Sequence, residues 1–204
     1  MTANEGDAKD YDGFPEETRV GKPTLDKTMF PNAAELQKPE HLGRLKTTTT
    51  MGDTDDDGDH HLIYAYGGRS FSIWADDGTL VFDSGNAFEH VISQRSPEVF
   101  NANGGVNKMD DRSDDKGPEP EALALGEIDG RTYAFIGMER NNAIFAYDIT
   151  LPSDPHMVGY MMPAATHNSP EGLEFISAKE SPTGKPMLVI AYEMTGTIAV
   201  YQIN

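Results

Sequence analysis

The sequence predicts an all-β chain built from propeller-like blades, and three observations predict it. Short β-branched and aromatic runs recur from residue 62 onward, each bounded by turn residues. Three sequence blocks in the C-terminal half repeat in the same order, at offsets of 50 and 54 residues. A period near 50 with about four short strands per unit is the signature of a β-propeller blade, the alternative being a β-sandwich with accidental similarity.

Residues 1–50 are expected to form an irregular segment that begins within a blade, and residues 51–204 the blades. Asp7 to Arg19 is polar and carries Gly13 and Pro15. Ala33 to Leu45 allows a short helix interrupted by Pro39, and Thr47 to Thr50 begins an extended segment. Leu62–Tyr66, Ser70–Trp74 and Leu80–Phe82 read as strands. Asp76-Asp77-Gly78 turns the second into the third, because Gly tolerates positive φ. Phe88–Ile92 reads as a fourth strand, and 94–117 as a loop rich in Asn, Asp, Gly and Ser. Ala122–Ile128, Tyr133–Gly137, Ala143–Ile149 and Met157–Met161 form a second set, turning at Asp129-Gly130 and Asn141-Asn142. Gly172–Ile176, Met187–Tyr192 and Thr197–Ile203 form a third. No helix is expected after Leu45.

The repeat is explicit. Pro120-Glu-Ala-Leu123 matches Pro170-Glu-Gly-Leu173, offset by 50. Ala134–Glu139 matches Leu188–Glu193, and Ile144–Ile149 matches Ile198–Ile203, both offset by 54. The four-residue slip fits a longer first hairpin around Ser181-Pro-Thr-Gly-Lys185. Met1-Thr-Ala-Asn-Glu5 resembles the end of a blade's second strand, as in Ile190–Glu193, so the chain is expected to begin inside a blade. Natural propellers have about 4–8 blades, so the remaining blades are expected from a longer chain or another subunit.

Composition narrows the chemistry. With 16 Lys and Arg against 34 Asp and Glu, the formal charge is −18, which disfavours nucleic acid, because phosphate binding needs clustered Lys and Arg. Zero cysteine excludes disulfides, thiol catalysis and Cys-based zinc sites. No apolar run approaches the roughly 20 residues that span a bilayer. The acidic excess points to divalent cations as partners, the alternative being a solvated acidic surface that keeps the chain soluble in salt.

Three acidic features carry candidate sites. Asp53, Asp55, Asp57 and Asp59 alternate around Gly58 in a tight loop whose oxygens converge on one hard cation. Residue 64, the twelfth position, is Tyr rather than the Glu of a helix–loop–helix calcium site, so a strand-bounded calcium loop is expected; the alternative is a solvated acidic turn. His60 and His61 point to opposite faces if extended and read as surface residues. The run 110–121 mixes Asp111, Asp114 and Asp115 with Arg112 and Lys116, a composition that suits a metal with a phosphate ester or mineral, or a loop that neutralises itself. Glu121 and Glu171 open their blades, Glu139 and Glu193 end the following strands, and Glu5 is a third equivalent of the latter pair. Like charges ringed around one end of a channel need a cation, or their pKa values rise. Arg69 and Arg140 are further anion candidates or, equally, salt-bridge partners of the glutamates. No nucleophile elbow, P-loop, His-Glu-x-x-His or dinucleotide fingerprint appears, and no catalytic residue is identified.

These residues carry a resemblance. Thr2–Asp7 with Asp10-Tyr11, Leu42–Leu45, Asp53–Asp59, Gly68–Trp74, Val81–Gly85, Arg112–Glu121, Tyr133–Arg140, Pro170–Leu173 and Ser181–Pro186 are similar to runs in the choice-of-anchor I proteins of bacteria. Those are exported β-propeller proteins related to atypical alkaline phosphatases and to mesenchyme-specific cell-surface glycoproteins. The resemblance implies an extracellular or periplasmic location and calcium in the acidic loops. It also implies a longer chain, with an export signal and further blades before Thr2. The expected function is a calcium-binding extracellular or cell-surface propeller module. The alternative is a calcium-dependent phosphoesterase resembling atypical alkaline phosphatase or phytase, with Arg112 and Lys116 steadying phosphate.

Overall fold

The computed structural model describes residues 1–104 and 108–204; residues 105–107, within the predicted loop, lie outside the described residues. The described elements run in order: β1 (Thr2–Ala3), β2 (Asp10–Tyr11), β3 (Phe14–Pro15), β4 (Glu17–Arg19), α1 (Ala33–Leu36), β5 (Lys46–Thr48), β6 (Phe71–Trp74), β7 (Leu80–Asp83), α2 (Ala87–Arg95) and a 3-10 turn over Pro97–Val99. There follow β8 (Pro120–Ile128), β9 (Arg131–Met138), β10 (Ala143–Asp148), β11 (His156–Met161), β12 (Pro170–Ile176), β13 (Met187–Tyr192) and β14 (Thr197–Gln202). The chain is mostly antiparallel sheet, as an all-β fold requires. No described helix is long and apolar enough to cross a membrane.

Two compact units emerge. The first comprises Met1–Glu5, Gly68–Asp111 and Pro118–Asn204; the second comprises Gly6–Gly67 and Arg112–Gly117.

The first unit holds three sheets with strand orders β1-β6-β7, β11-β10-β9-β8 and β12-β13-β14. The repeat maps onto them strand for strand. In the second sheet Met138 pairs with Ala143, and in the third Tyr192 pairs with Thr197. In the first, Ala3 pairs with Phe71, and the Asn4 N–H donates to Ser70 O at 2.9 Å. Ala3 thus stands to Phe71 as Met138 stands to Ala143 and Tyr192 to Thr197. In the other two sheets a four-residue turn leads to the third strand; here a 62-residue excursion, Gly6–Gly67, stands between them in the chain.

Alternating side chains give the middle sheet two apolar faces. Ala134, Ile136, Met138, Phe145 and Tyr147 of the middle sheet pack with Phe71, Ile73 and Phe88. Its opposite-facing Ala124, Phe135 and Ile144 pack with Leu188, Ile190 and Tyr192 of the third. Ala134, Ile136 and Met138 correspond to Leu188, Ile190 and Tyr192 through the 54-residue offset, so each sheet presents the same positions to its predecessor. Gly126 makes room for one contact: a Cβ there would meet the Phe175 ring at 2.5 Å.

Two expected strands are corrected. Phe88–Ile92 lies in helix α2, where Phe88 and Ile92, one helical turn apart, are both fully buried. Their aromatic and β-branched composition suggested a strand, but burial of one helical face prevails. This also corrects the expectation of no helix after Leu45. Leu62–Tyr66 forms no strand; the Thr48 N–H reaches Tyr64 O at 3.2 Å without extending into a ladder.

The second unit pairs β2 with β3 and β4 with β5. Its apolar interior is small, with Val20, Leu25 and Tyr66 buried. Ion pairs supplement it: Lys46 reaches Glu17 at 2.9 Å and Asp115 at 3.1 Å, and Asp114 accepts from Arg44 at 2.7 Å and Arg19 at 3.3 Å.

Candidate metal centres

The first centre forms where successive sheets bring glutamates together. Pro120 and Pro170 open equivalent strands, and each ladder shifts register there, between Pro120 and Ala122 and between Pro170 and Gly172. The preceding residues, Glu119 and Ser169, are held at positive φ, 52° and 66°. Their carbonyls accept the N–H of Glu139 and of Glu193, both at 2.9 Å. Bulges of this kind re-aim side chains at the ends of strands.

The consequence is a cluster of carboxylates. Glu121, Glu139 and Glu171 can bring one oxygen each within 4.8 Å of one another, and so can Glu5, Glu119 and Glu139. Glu139 is common to both groups. Glu119 is fully buried and Glu139 nearly so. Arg140 holds both, Nε at 3.2 Å from Glu119 and a terminal nitrogen at 3.2 Å from Glu139, and the Ser169 hydroxyl donates to Glu139 at 3.2 Å. Among the described residues, Arg140 pairs with two of these five carboxylates. Burial, followed by the charges of Glu5, Glu171 and Glu119, pushes Glu121 up to about 7. Burial and a hydrogen bond with Glu119 push Glu139 up to about 8, against the pull of Arg140.

Of the four predicted glutamates, Glu121, Glu139 and Glu171 come together. Glu193 lies outside both groups and acts on Arg140 only through its charge. Glu119 was not among the expected ligands. It stands 50 residues before Ser169, so the repeat carries no second glutamate there to draw attention to it.

The second centre lies in the second unit. Asp53 organises the loop: its carboxylate accepts the Gly58 N–H at 2.9 Å, which holds its pKa below the usual carboxylate range. The Asp57 carboxylate accepts the Asp59 N–H at 3.0 Å and belongs to neither ligand group. Asp56 and Gly58 take positive φ, and Gly52 O accepts the N–H groups of His61 and Leu62 to close the loop. A short parallel bridge between Leu25 and His60 brings Asp26 alongside.

Asp53, Asp55 and His61 form one group with ligand atoms within 4.8 Å, and Asp26, Asp59 and His61 form another. His61 thus joins the loop, though sequence alone read it as a surface residue; the turn at 59–61 replaces the strand assumed there. Asp59 Oδ1 and His61 Nδ1 lie 3.8 Å apart, both buried and without a hydrogen-bond partner. Burial, then the charges of Asp57 and Asp26, raise the Asp59 pKa. Two orphaned polar atoms facing each other fit a cation between them. The donor set of carboxylates and one imidazole suits calcium through its oxygens and manganese or zinc through His61.

The expected anion contacts are all engaged by carboxylates. Arg69 pairs with Glu89 at 3.0 Å, Arg112 with Asp115 at 3.4 Å and Lys116 with Asp7 at 3.4 Å. Asp111 lies 3.7 Å from Lys108. Within the run, Arg112 and Lys116 pair with carboxylates, while Asp114 and Asp115 draw on Arg19, Arg44 and Lys46.

Gigasin-3a of Magallana gigas is 30% identical over 191 residues, covering 83% of this chain and 67% of that protein. The mesenchyme-specific cell surface glycoprotein of Strongylocentrotus purpuratus is 30% identical over 101 residues, 43% of this chain and 13% of its own length. No solved structure matches the chain. The family model of the Choice-of-anchor I domain matches residues 1–152, and this chain belongs to that family.

Proposed function

We propose that the chain is a calcium-binding surface module, part of a β-propeller whose successive blades are the three sheets of its first unit. The observation that carries this reading is the gathering of Glu5, Glu119, Glu121, Glu139 and Glu171 from all three sheets, with Glu139 shared by two ligand groups. An all-oxygen site of carboxylates is the chemistry that calcium takes. A cation there neutralises charges that otherwise repel across three sheets, so binding links them. The repeated face-to-face packing supports the propeller reading. An extracellular or surface location is supported by the family and by the cell surface glycoprotein among the relatives. The loop with Asp26, Asp53, Asp55, Asp59 and His61 is proposed as a second, independent cation site.

Phosphoester hydrolysis is not favoured by a specific observation: Arg69, Arg112, Lys116 and Arg140 each face a carboxylate. The test is a thermal melt of the chelated protein with and without millimolar calcium. Calcium is expected to raise the melting temperature of the wild type, and to raise it less in Glu139→Gln. An unchanged melting temperature contradicts the reading. His61→Ala separates the centres: it is expected to remove most of the stabilisation by zinc, which favours an imidazole ligand, while leaving most of the calcium effect in place.

A further inference from the structure

We infer that the second cation site is a zinc site held by His61 Nδ1, Asp26 and Asp59, with Asp55 as the carboxylate that orients the imidazole from its far side. The inference rests on the reading of that loop as a cation site and assigns its metal and the role of each side chain. It does not depend on the glutamate cluster.

The His61 ring stands between two carboxylate groups and turns a different nitrogen to each. Nδ1 lies 3.8 Å from Asp59 Oδ1, and Nε2 lies 3.9 Å from Asp55 Oδ2. Both gaps exceed hydrogen-bond length. The two sides are not alike. On the Nδ1 side, His61 Nδ1 and Asp59 Oδ1 are buried atoms with no hydrogen-bond partner. Asp26 completes that side, and backbone bonds fix it there: its N–H donates to His60 O at 3.0 Å, and the His60 N–H donates to Thr24 O at 2.9 Å. One Asp26 oxygen accepts the Met29 N–H at 2.6 Å, and the other has no such bond among the described residues. On the Nε2 side, both Asp53 oxygens are engaged by the loop's own backbone, one by the Asp55 N–H at 3.4 Å and one by the Gly58 N–H at 2.9 Å. The Asp55 side chain is 59% exposed. Asp57 is turned to the Asp59 N–H, and His60 belongs to neither ligand group.

This asymmetry selects the metal. A neutral imidazole ligates through one ring nitrogen and donates an N–H from the other. A metal on Nδ1 therefore leaves the Nε2–H facing Asp55. That is the carboxylate–histidine–zinc arrangement, which fixes the ring tautomer and raises the basicity of the ligating nitrogen. Zinc accepts three protein ligands of nitrogen and oxygen and keeps a fourth position for water. Its bonds of about 2.0–2.2 Å hold neighbouring ligand atoms roughly 3.3–3.5 Å apart. The Nδ1–Oδ1 pair at 3.8 Å reaches that spacing by a small side-chain movement. Calcium takes roughly six to eight oxygens, more than Asp26 and Asp59 supply beside a nitrogen.

The test is zinc alone, titrated into the full chain freed of chelator and isotope-labelled at the histidine nitrogens, with calcium then added in about hundredfold excess. Nuclear magnetic resonance reads the His61 ring, assigned through its own backbone. Zinc is expected to move the Nδ1 signal and leave Nε2 protonated, and the calcium excess is expected not to reverse this. Asp55→Asn is expected to weaken zinc binding at least about tenfold and to move the Nε2–H signal of the zinc-bound form, with Asp55→Glu restoring both. Asp57→Asn is expected to change neither. If Asp55→Asn fails to fold, the wild-type titration decides alone. Zinc bound through Nε2, or Asp55→Asn binding zinc as tightly as the wild type, overturns the proposal. Calcium that displaces zinc from His61 overturns the zinc assignment and leaves a cation site in the loop. Zinc and calcium that both leave the His61 ring unmoved overturn the proposal together with that site.

Discussion

Phe145→Ala is expected to cost about 3–5 kcal/mol of unfolding free energy, because it removes an aromatic ring from a core that cannot collapse to refill the space. Phe145 is fully buried at the centre of β10. Its ring lies 4.8 Å from Phe88 and 5.0 Å from Tyr160, so helix α2 and strand β11 both lose their partner. Phe88 in turn packs on Phe71 and Tyr147 at 5.9 and 6.2 Å, which carries the damage into the first sheet. Urea denaturation measures the loss. A change below about 1 kcal/mol would show that the sheets do not depend on this junction.

The second large effect is on pH. In the metal-free protein the carboxyls of Glu121 and Glu139 titrate near 7 and 8, against 4.5 for an ordinary glutamate. Between pH of roughly 4.5 and 8 the folded chain therefore holds more protons than the unfolded one. Stability must then fall as pH rises through that window and level off above it. A drop of about 2–4 kcal/mol is expected, allowing for screening at the partly exposed Glu121. Calcium removes the slope, since a bound cation replaces the protons. Glu139→Gln, which stays neutral throughout, is expected to flatten the chelated profile. Denaturation midpoints at pH 5, 6.5 and 8, with calcium or chelator, measure both. A chelated profile that rises across the window would contradict the assignment.

Much of the fold is legible in the sequence where turn chemistry and alternation coincide. Asp129-Gly130 marks the β8–β9 hairpin because Asp129 and Gly130 both take positive φ. Met187–Tyr192 follows from its unbroken apolar run, of which Leu188, Ile190 and Tyr192 are buried against the middle sheet. The helix over Phe88 and Ile92 was hidden, because two residues of strand-like type at a spacing of four are a weak signal in a nine-residue element. Pairing of β1 with β6 spans nearly seventy residues, and no local pattern announces it; the likeness of Glu5 to Glu139 and Glu193 was the only trace.

The candidate centres show the same division. Glu121, Glu139 and Glu171 were legible because the repeat marks them twice over. Glu119 was missed because its equivalent is Ser169, and what the two share is a backbone conformation, not a side chain. Asp26 and His61 were missed for a different reason. Asp26 arrives through the Leu25–His60 bridge, a contact between segments 35 residues apart, and His61 turns inward only once the chain closes on Gly52. In the run 110–121 the sequence showed the charges but not their partners, and Arg19, Arg44 and Lys46 supply them from far along the chain.

The central claim is that calcium displaces protons from the glutamate cluster, and isothermal titration in two buffers of different ionisation enthalpy tests it most directly. At pH 6.5 calcium binding is expected to release about one or two protons, at pH 9 none, and Glu121→Gln with Glu139→Gln together to abolish the release. Calcium that binds with no proton release at pH 6.5, or with a release unchanged in that double variant, would contradict the account.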